Sequence, residues 1–317
     1  MIDTPFTRLV GCRAPIQLAA MPGVATPALA AAVADAGGLG MIGAPMLPAP
    51  VLAATLADLG QRTRGVFGVN FLMPFLDRDV VPLAASGARV VEFFYGEPDP
   101  ALIDLVHAGG ALASWQVGSC AEAVAAARAG CDLVVAQGTE AGGHVRGRIG
   151  LLPLLARVLD AVDVPVLAAG GIATARQLAA VLSAGAAGAR IGTRFATADE
   201  SGAHPAYVDA LLRARGEDTV LTEAFSVMWP NAPHRVLRSS IAAAEAHADP
   251  HTGAARWGGQ SMPVPRWGVF APTADTTGAV EAMALYAGEG VGAVTRREPA
   301  AAIVRELVDG AEALLRR

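Results

Sequence analysis

Short, continuous apolar runs alternate with alanine- and leucine-rich helical patterns from Ile16 to Thr193. Strands that are apolar at every position are typical of a parallel sheet buried on both faces. Eight strand and helix units favour a (β/α)8 TIM barrel over an open doubly wound sheet. The eight predicted strands are Ile16–Ala20, Leu39–Ile42, Phe67–Phe71, Val90–Phe94, Ala111–Gln116, Leu133–Ala136, Val166–Ala169 and Ala189–Gly192.

Seven segments between these strands have helical patterns, and several carry capping residues. Thr26, which precedes Pro27, and Ser119 are good N-caps. Glycine follows Ala36 and Ala129, where a helix commonly ends. The predicted helices are Thr26–Ala36, Pro50–Leu59, Val80–Ser86, Pro100–His107, Cys120–Ala129, Leu151–Ala161 and Thr174–Ser183.

The composition assures a large core and excludes several kinds of chemistry. Apolar residues make up 53% of the 317 residues and charged residues 17%, so disorder is not expected. The net charge is −5 with no basic run, which argues against nucleic acid and anionic membrane as partners. All 24 basic residues are arginine. Schiff-base aldolase and pyridoxal-phosphate chemistry are therefore excluded, because both need a lysine amine.

Cysteine and histidine usage indicates a reduced, metal-free protein. Cys12, Cys120 and Cys131 are odd in number and lack the spacing of a metal site, so we expect free thiols. The N-terminus does not resemble a signal peptide, and no apolar run is long enough to span a bilayer. We expect a cytoplasmic protein, monomeric or homodimeric. His247 and His251 stand four apart in a polar segment, where a solvated surface is favoured over a metal site.

The run from Gln137 to His144 directly follows the sixth predicted strand. Two glycines before the histidine allow close approach of a ligand to the main chain. Imidazole is the one side chain that titrates near neutral pH without help. The run therefore indicates either an active-site loop with His144 as its base or a glycine-rich turn with an exposed histidine. Glu140 is expected either to orient His144 or to cap the loop, and the sequence leaves both readings open.

Polar and glycine-rich residues also follow the other predicted strands, at the barrel end where TIM barrels carry their active sites. The loops after the seventh and eighth strands contain Gly170 and Gly171, and Gly192 and Thr193. Either loop alone would be a tight strand-to-helix turn, but the two at consecutive strand ends favour a phosphate site. Arg194 is expected to reach that phosphate or to pair with an acidic residue.

The pattern changes after Thr193. Pro205–Arg215 is predicted to be the eighth barrel helix, and residues 1–218 to form the barrel. Residues 219–272 contain three of the four tryptophans and are predicted to form a lid or substrate subdomain. His234 within it is predicted to be a surface histidine. Residues 273–317 are predicted to be helices packing back on the barrel, over Thr277–Ala287 and Pro299–Leu315.

Taken together, these motifs resemble the nitronate monooxygenase family, once called 2-nitropropane dioxygenases. These enzymes are FMN-dependent barrels that oxidise alkyl nitronates, and flavin-dependent enoyl-acyl-carrier-protein reductases share their fold and a similar histidine loop. The resemblance covers essentially the whole chain. The resemblance rests on the segments Ala20–Pro27, Ala36–Gly40, Gly68–Phe71, Gln137–His144, Ala168–Ile172 and Gly188–Phe195.

The resemblance implies roles for the matching positions. His144 would lie at the reactive edge of the flavin, as a base or as a donor to the substrate nitro group. Arg190 departs from the glutamine that is frequent in the family, and Gln116 from a small residue, so contacts to the flavin would differ there. The residues implied to bind FMN are Met21, Pro22, Gly23, Asn70, Gln116, Gln137, Gly142, Gly143, Gly170, Gly171, Arg190, Ile191, Gly192 and Thr193.

The implied reaction uses O2 to convert a nitronate or nitroalkane into a carbonyl compound and nitrite. The substrate's alkyl group needs an apolar pocket, for which Met21, Phe71, Phe94 and Trp229 are candidates. Two alternatives stay open: NAD(P)H-dependent reduction of an enoyl thioester on the same flavin site, and a flavin-binding barrel without turnover. No G-x-S-x-G elbow supports a hydrolase.

Overall fold

Eight parallel strands form the centre of the molecule, which a computed structural model describes over residues 2–257 and 260–316. Their order around the sheet is β1-β9-β8-β6-β5-β4-β3-β2. Leu39 closes the cylinder, because its N–H donates to Ile16 and its carbonyl accepts from Leu18, both at 2.9 Å. The predicted TIM barrel is confirmed. These strands are β1 Ile16–Leu18, β2 Gly40–Gly43, β3 Phe67–Leu72, β4 Val90–Phe94, β5 Leu112–Val117, β6 Leu133–Gln137, β8 Val166–Ala169 and β9 Gly188–Ile191.

Helices surround the barrel and bury their apolar faces against it. Thr26 and Ser119 accept hydrogen bonds from backbone N–H groups of the first turns that follow them, as capping residues do. Gly37 and Gly130 follow two of the helices with positive φ angles of 103° and 100°. The first eight helices are α1 Pro5–Val10, α2 Pro27–Asp35, α3 Ala49–Arg62, α4 Val81–Gly87, α5 Pro100–Ala108, α6 Cys120–Arg128, α7 Leu151–Leu159 and α8 Ala175–Ser183.

The remaining helices are α9 Thr193–Ala196, α10 Pro205–Arg213, α11 Arg238–Ala246 and α12 Ala300–Leu315. The last helix, α12, packs between α8 and α2 and buries Ile303, Val304 and Leu307 in the barrel core. The segment predicted as the eighth barrel helix, α10, belongs to a separate apolar cluster with residues 285–291. The prediction of α10 as the eighth barrel helix was wrong. Both α10 and α12 are amphipathic, and their sequence patterns do not show which of the two packs on the barrel.

Two small antiparallel sheets lie beyond the barrel. In the first, β10 Thr219–Thr222 pairs with β11 His234–Leu237, and β11 pairs with β7 Gly143–His144. In the second, β12 His251–Trp257 pairs with β13 Gln260–Pro265 and with β14 Thr277–Gly278. Thr277–Ala287 is thus not the predicted α-helix, and Gly278 has a φ of 103° that an α-helix does not allow.

No helix in the described part of the chain has the length and apolarity that a membrane crossing requires.

Candidate active site

A cavity of about 290 Å³ opens at the carboxyl ends of the barrel strands. Fourteen of the fifteen residues predicted for the site line its wall, because parallel strands deliver their following loops to one end of the barrel. These residues are Met21, Pro22, Gly23, Asn70, Gln116, Gln137, Gly142, Gly143, His144, Gly170, Gly171, Arg190, Gly192 and Thr193.

Two predicted apolar or cofactor contacts lie outside this wall. Ile191 is 1% exposed in the barrel core, and its carbonyl accepts a 2.8 Å hydrogen bond from the N–H of Ala19. Phe71 stacks on Phe93 in the same core. Side chains alternate along a strand, so the neighbours of inward-facing residues such as Asn70 point away from the cavity.

His144 is held at the cavity wall by pairing of β7 with β11. Its ring stacks on Trp229, with 3.9 Å between ring centroids, and Tyr95 and Tyr286 approach from other sides. Its Nε2 is shielded from solvent and has no hydrogen-bond partner within the described chain. Burial, with a smaller effect of His234, lowers the pKa of His144 to about 3. The imidazole is therefore neutral at ordinary pH.

His234 lies opposite His144 in the β7–β11 pairing. It is fully buried, which overturns its prediction as a surface histidine. Its Nδ1 lies 2.9 Å from the carbonyl of Ala232, and its Nε2 accepts a 3.2 Å bond from the N–H of Phe225. Nε2 is thus an acceptor and Nδ1 the donor, so the ring is neutral. Burial lowers the pKa of His234. The prediction failed because the strand that buries this residue forms through distant pairing.

Three amide side chains present unpaired acceptors in the buried part of the barrel. Gln137 donates through Nε2 to the carbonyl of His144 at 2.9 Å, which fixes the main chain beside the imidazole. Its Oε1, like the Oε1 atoms of Gln116 and Gln17, is buried and has no partner among the described residues. Buried polar atoms are normally satisfied, so those of Gln116 and Gln137, which line the cavity, are candidates to accept a hydrogen bond from a ligand.

One buried carboxylate that the sequence analysis missed lies behind the cavity wall. Glu92, in the middle of β4, is fully buried. It pairs with the guanidinium of Arg190 and accepts hydrogen bonds from Asn70 at 2.9 Å and Gln17 at 3.0 Å. A charged residue inside the otherwise apolar run 90–94 was the available signal, because a buried carboxylate requires a partner.

Glycines in the loops after β6 and β8 line the cavity wall. Gly170 and Gly171 have φ angles of 122° and 67°, which disfavour other residues. A Cβ on Gly142 would lie 2.5 Å from the nitrogen of Gly288. The hydroxyl of Thr193 accepts a 3.0 Å bond from that same N–H, which fastens the loop after β9 to the segment at 288.

Glu140 caps a helix. Its two carboxylate oxygens accept from the N–H of Leu151, the first residue of α7, at 2.9 and 3.0 Å. Of the two readings that the sequence left open, the structure thus supports capping. For Arg194, the structure supports pairing with acidic residues: its guanidinium forms ion pairs with Glu298 at 2.5 Å and Glu306 at 3.2 Å, on the α12 side.

The remaining candidate residues lie away from the cavity. Cys131 is buried in the barrel core, as predicted, and burial raises the pKa of its thiol to about 12. The thiol of Cys120 donates to the carbonyl of Arg157 at 3.4 Å. The ring of His247 bonds the carbonyl of His251. Within residues 2–257 and 260–316, no group of three or more His, Cys, Asp or Glu could hold a metal ion.

The lining of the cavity is compatible with a flat, partly polar ligand. It combines apolar walls, unpaired amide acceptors, one buried cation and glycine loops with left-handed backbone. A flavin nucleotide has a ring with N–H and carbonyl groups and a tail that carries phosphate. The donor and acceptor set of this cavity is compatible with such a group.

Comparison with known proteins places the chain in one family. The family model for nitronate monooxygenase matches residues 3–81 and 75–310. A curated relative from Rhodococcus jostii is 37% identical over 76% of this chain and 67% of its own length. It is named (3aS,4S,5R,7aS)-5-hydroxy-7a-methyl-1-oxo-octahydro-1H-indene-4-carboxyl-CoA dehydrogenase.

Two solved structures share the whole fold. FabK from Thermotoga maritima is 29% identical with a TM-score of 0.82, and the match covers 100% of this chain and 98% of FabK. Nitroalkane oxidase from Streptomyces ansochromogenes is 33% identical with a TM-score of 0.75, over 98% of this chain and 100% of the oxidase. The family match spans nearly the whole barrel and both small sheets. The chain belongs to the nitronate monooxygenase family and is a flavin oxidoreductase.

Proposed function

We propose that this enzyme oxidises alkyl nitronates and nitroalkanes with O2, giving a carbonyl compound and nitrite, and that its flavin is FMN. One observation carries the proposal: His144 lies in the cavity wall as a neutral imidazole whose buried Nε2 has no hydrogen-bond partner among the described residues. Family membership and the likeness to a nitroalkane oxidase support the same reaction.

The residues of the cavity wall suit FMN. Gly170, Gly171, Gly192 and Thr193 would hold the phosphate end, because glycine-loop amides and a hydroxyl are typical phosphate donors. Gln116, Gln137 and Asn70 would bind the polar edge of the ring. When bound, the flavin supplies the electron acceptance that no side chain of this protein provides.

A neutral His144 suits both substrates. A nitroalkane must lose its α-proton, and a base must be unprotonated to take it. A nitronate is already an anion and needs only a hydrogen bond at its nitro oxygens. The rings of Trp229, Tyr95 and Tyr286 exclude water around this imidazole, and Phe75 and Phe94 add apolar wall for an alkyl group.

Reduction of an enoyl thioester is the second candidate, favoured by the close fold match to FabK and by a curated relative that acts on a CoA thioester. That reaction needs a proton donor at the position of His144. The strongly lowered pKa of His144 opposes an imidazolium there, so we rank this function second. A flavin-binding barrel without turnover would be yellow and inert towards both substrates.

The test is the variant His144→Asn, assayed for nitrite release from a small nitroalkane and from its preformed nitronate. We expect loss of the base to reduce nitroalkane turnover by a factor of about 10² to 10⁴. Turnover of the nitronate should fall much less, and the flavin absorption of the purified variant should match that of the wild type. Nitroalkane turnover at the wild-type rate in His144→Asn would show that the base lies elsewhere.

Residues 219–272 are proposed as a lid over this site, because Met228, Trp229 and Arg256 reach the cavity wall from that segment. Limited proteolysis with and without a non-reactive nitro compound tests this. Protection of the segment by the ligand supports a lid, and equal cleavage contradicts it.

A further inference from the structure

The barrel interior contains a buried ion pair directly beneath the candidate flavin site. Glu92 of β4 and Arg190 of β9 meet across the barrel and are 0% and 8% exposed. Asn70 at 2.9 Å, Gln17 at 3.0 Å and Ser114 at 3.4 Å also donate to the carboxylate of Glu92. Because an ionised carboxylate only accepts, each of these side chains must turn a donor towards it.

Only some of these side chains line the cavity and can contact a ligand. Arg190 and Asn70 line the cavity wall, whereas Glu92, Gln17 and Ser114 lie behind them. Asn70 turns its nitrogen to Glu92, so its Oδ1 is left free to accept from a ligand. Arg190 is the one charged side chain in the buried part of the described wall, because Arg256 is exposed. The positive end of the ion pair therefore faces the ligand.

We propose that Arg190 stabilises the negative charge that the flavin ring gains on reduction, and that Glu92 is the residue that positions Arg190. The inference rests on the proposed flavin site and not on the choice of substrate. Uptake of two electrons and one proton gives the ring one net negative charge. A fixed cation in a water-poor site stabilises such charge strongly, because it does not need to reorganise.

The two possible roles of Glu92 predict opposite changes in the midpoint potential of the flavin when Glu92 is replaced. If Glu92 acted only through its own negative charge, removing that charge would favour the reduced flavin and raise the midpoint potential. If Glu92 acts by holding Arg190 in its position at the cavity wall, the loss of Glu92 releases a long, flexible side chain that carries an uncompensated charge. The cation then leaves the ring, and the midpoint potential falls.

The measurement is the two-electron midpoint potential of FMN-loaded protein, titrated anaerobically with dithionite against a reference dye. The main variant is the double replacement E92Q/R190Q, which leaves no buried unpaired charge and should fold. We expect the stability of the reduced flavin relative to the oxidised flavin to decrease at least tenfold, which lowers the midpoint potential by about 30 mV. The single variants R190Q and E92Q should both shift the potential downward as well.

A matched control is R194Q, which removes another buried arginine from an ion pair, at a position outside the cavity wall. Its potential should equal that of the wild type. An unchanged or higher potential in E92Q/R190Q would overturn the role of Arg190, and a higher potential in E92Q alone would overturn positioning by Glu92. A wild-type protein that binds no flavin would overturn the proposed function and this inference together.

Discussion

His144 has a pKa far below that of a free imidazole because its ring is enclosed by aromatic side chains and faces another neutral histidine. The folded protein therefore resists protonating this ring, whereas the unfolded chain takes up the proton near pH 6.5. The same burial that keeps this imidazole unprotonated thus makes the fold sensitive to acid.

The sign of that linkage gives a prediction. The stability that depends on neutral His144 is fully present above pH 6.5 and is lost as the pH falls from there towards 3. We expect the free energy of unfolding to decrease less between pH 7 and pH 5 in His144→Asn than in the wild type. Urea unfolding at both pH values measures this. An equal decrease in both proteins would show that His144 is not buried neutral.

Some residues of the candidate site can be predicted from the sequence and others cannot. The strand-end glycines and amides of the cavity wall were predictable, because residues that follow parallel strands occupy one end of a barrel. Glu92 was missed because its partner, Arg190, lies 98 residues away across the barrel. His234 was misjudged because it is buried by pairing with β7, which the sequence around it does not reveal.

At the scale of elements, the loop after β6 depends on glycine for close packing, and this can be tested with a matched pair. A Cβ on Gly142 would lie 2.5 Å from backbone at Gly288, whereas a Cβ on Gly60 in α3 would meet nothing within 4 Å. Gly142→Ala should therefore lower the free energy of unfolding and weaken flavin binding. Gly60→Ala should stabilise the helix by about 0.5–1 kcal/mol. Thermal melts and flavin titrations of both variants are the measurement.

Equal flavin binding by Gly142→Ala and the wild type would contradict the close approach of the loop to residue 288. The loop's position also depends on Glu140, which caps α7 and leaves His144 to be held by its strand pairing and by Gln137.

At the scale of the whole molecule, the barrel is completed by its last helix. Leu307 of α12 is fully buried in the main core between α8 and α2. Leu307→Ala should lower the free energy of unfolding by about 2–5 kcal/mol, the usual cost of a core cavity. Chemical denaturation measures it, with the partly exposed Leu314 as a control that should lose less when changed to alanine. A smaller loss at Leu307 than at Leu314 would contradict this role of α12.

The barrel itself was predictable from sequence, since fully apolar runs of this spacing have few other solutions. The choice of closing helix was not, because α10 and α12 both bury an apolar face, the first against residues 285–291 and the second against the barrel. Only the long excursion of the chain through the two small sheets decides between them, and local pattern does not encode that path.

In the proposed function, a nitronate reduces the bound flavin without NADH or NADPH. The most direct measurement is anaerobic bleaching of the flavin in the purified protein, followed by stopped-flow absorbance. We expect a small nitronate alone to bleach the flavin rapidly, with NADH and NADPH slow by comparison. Rapid bleaching by NADH or NADPH and none by the nitronate would contradict the claim and favour enoyl-thioester reduction.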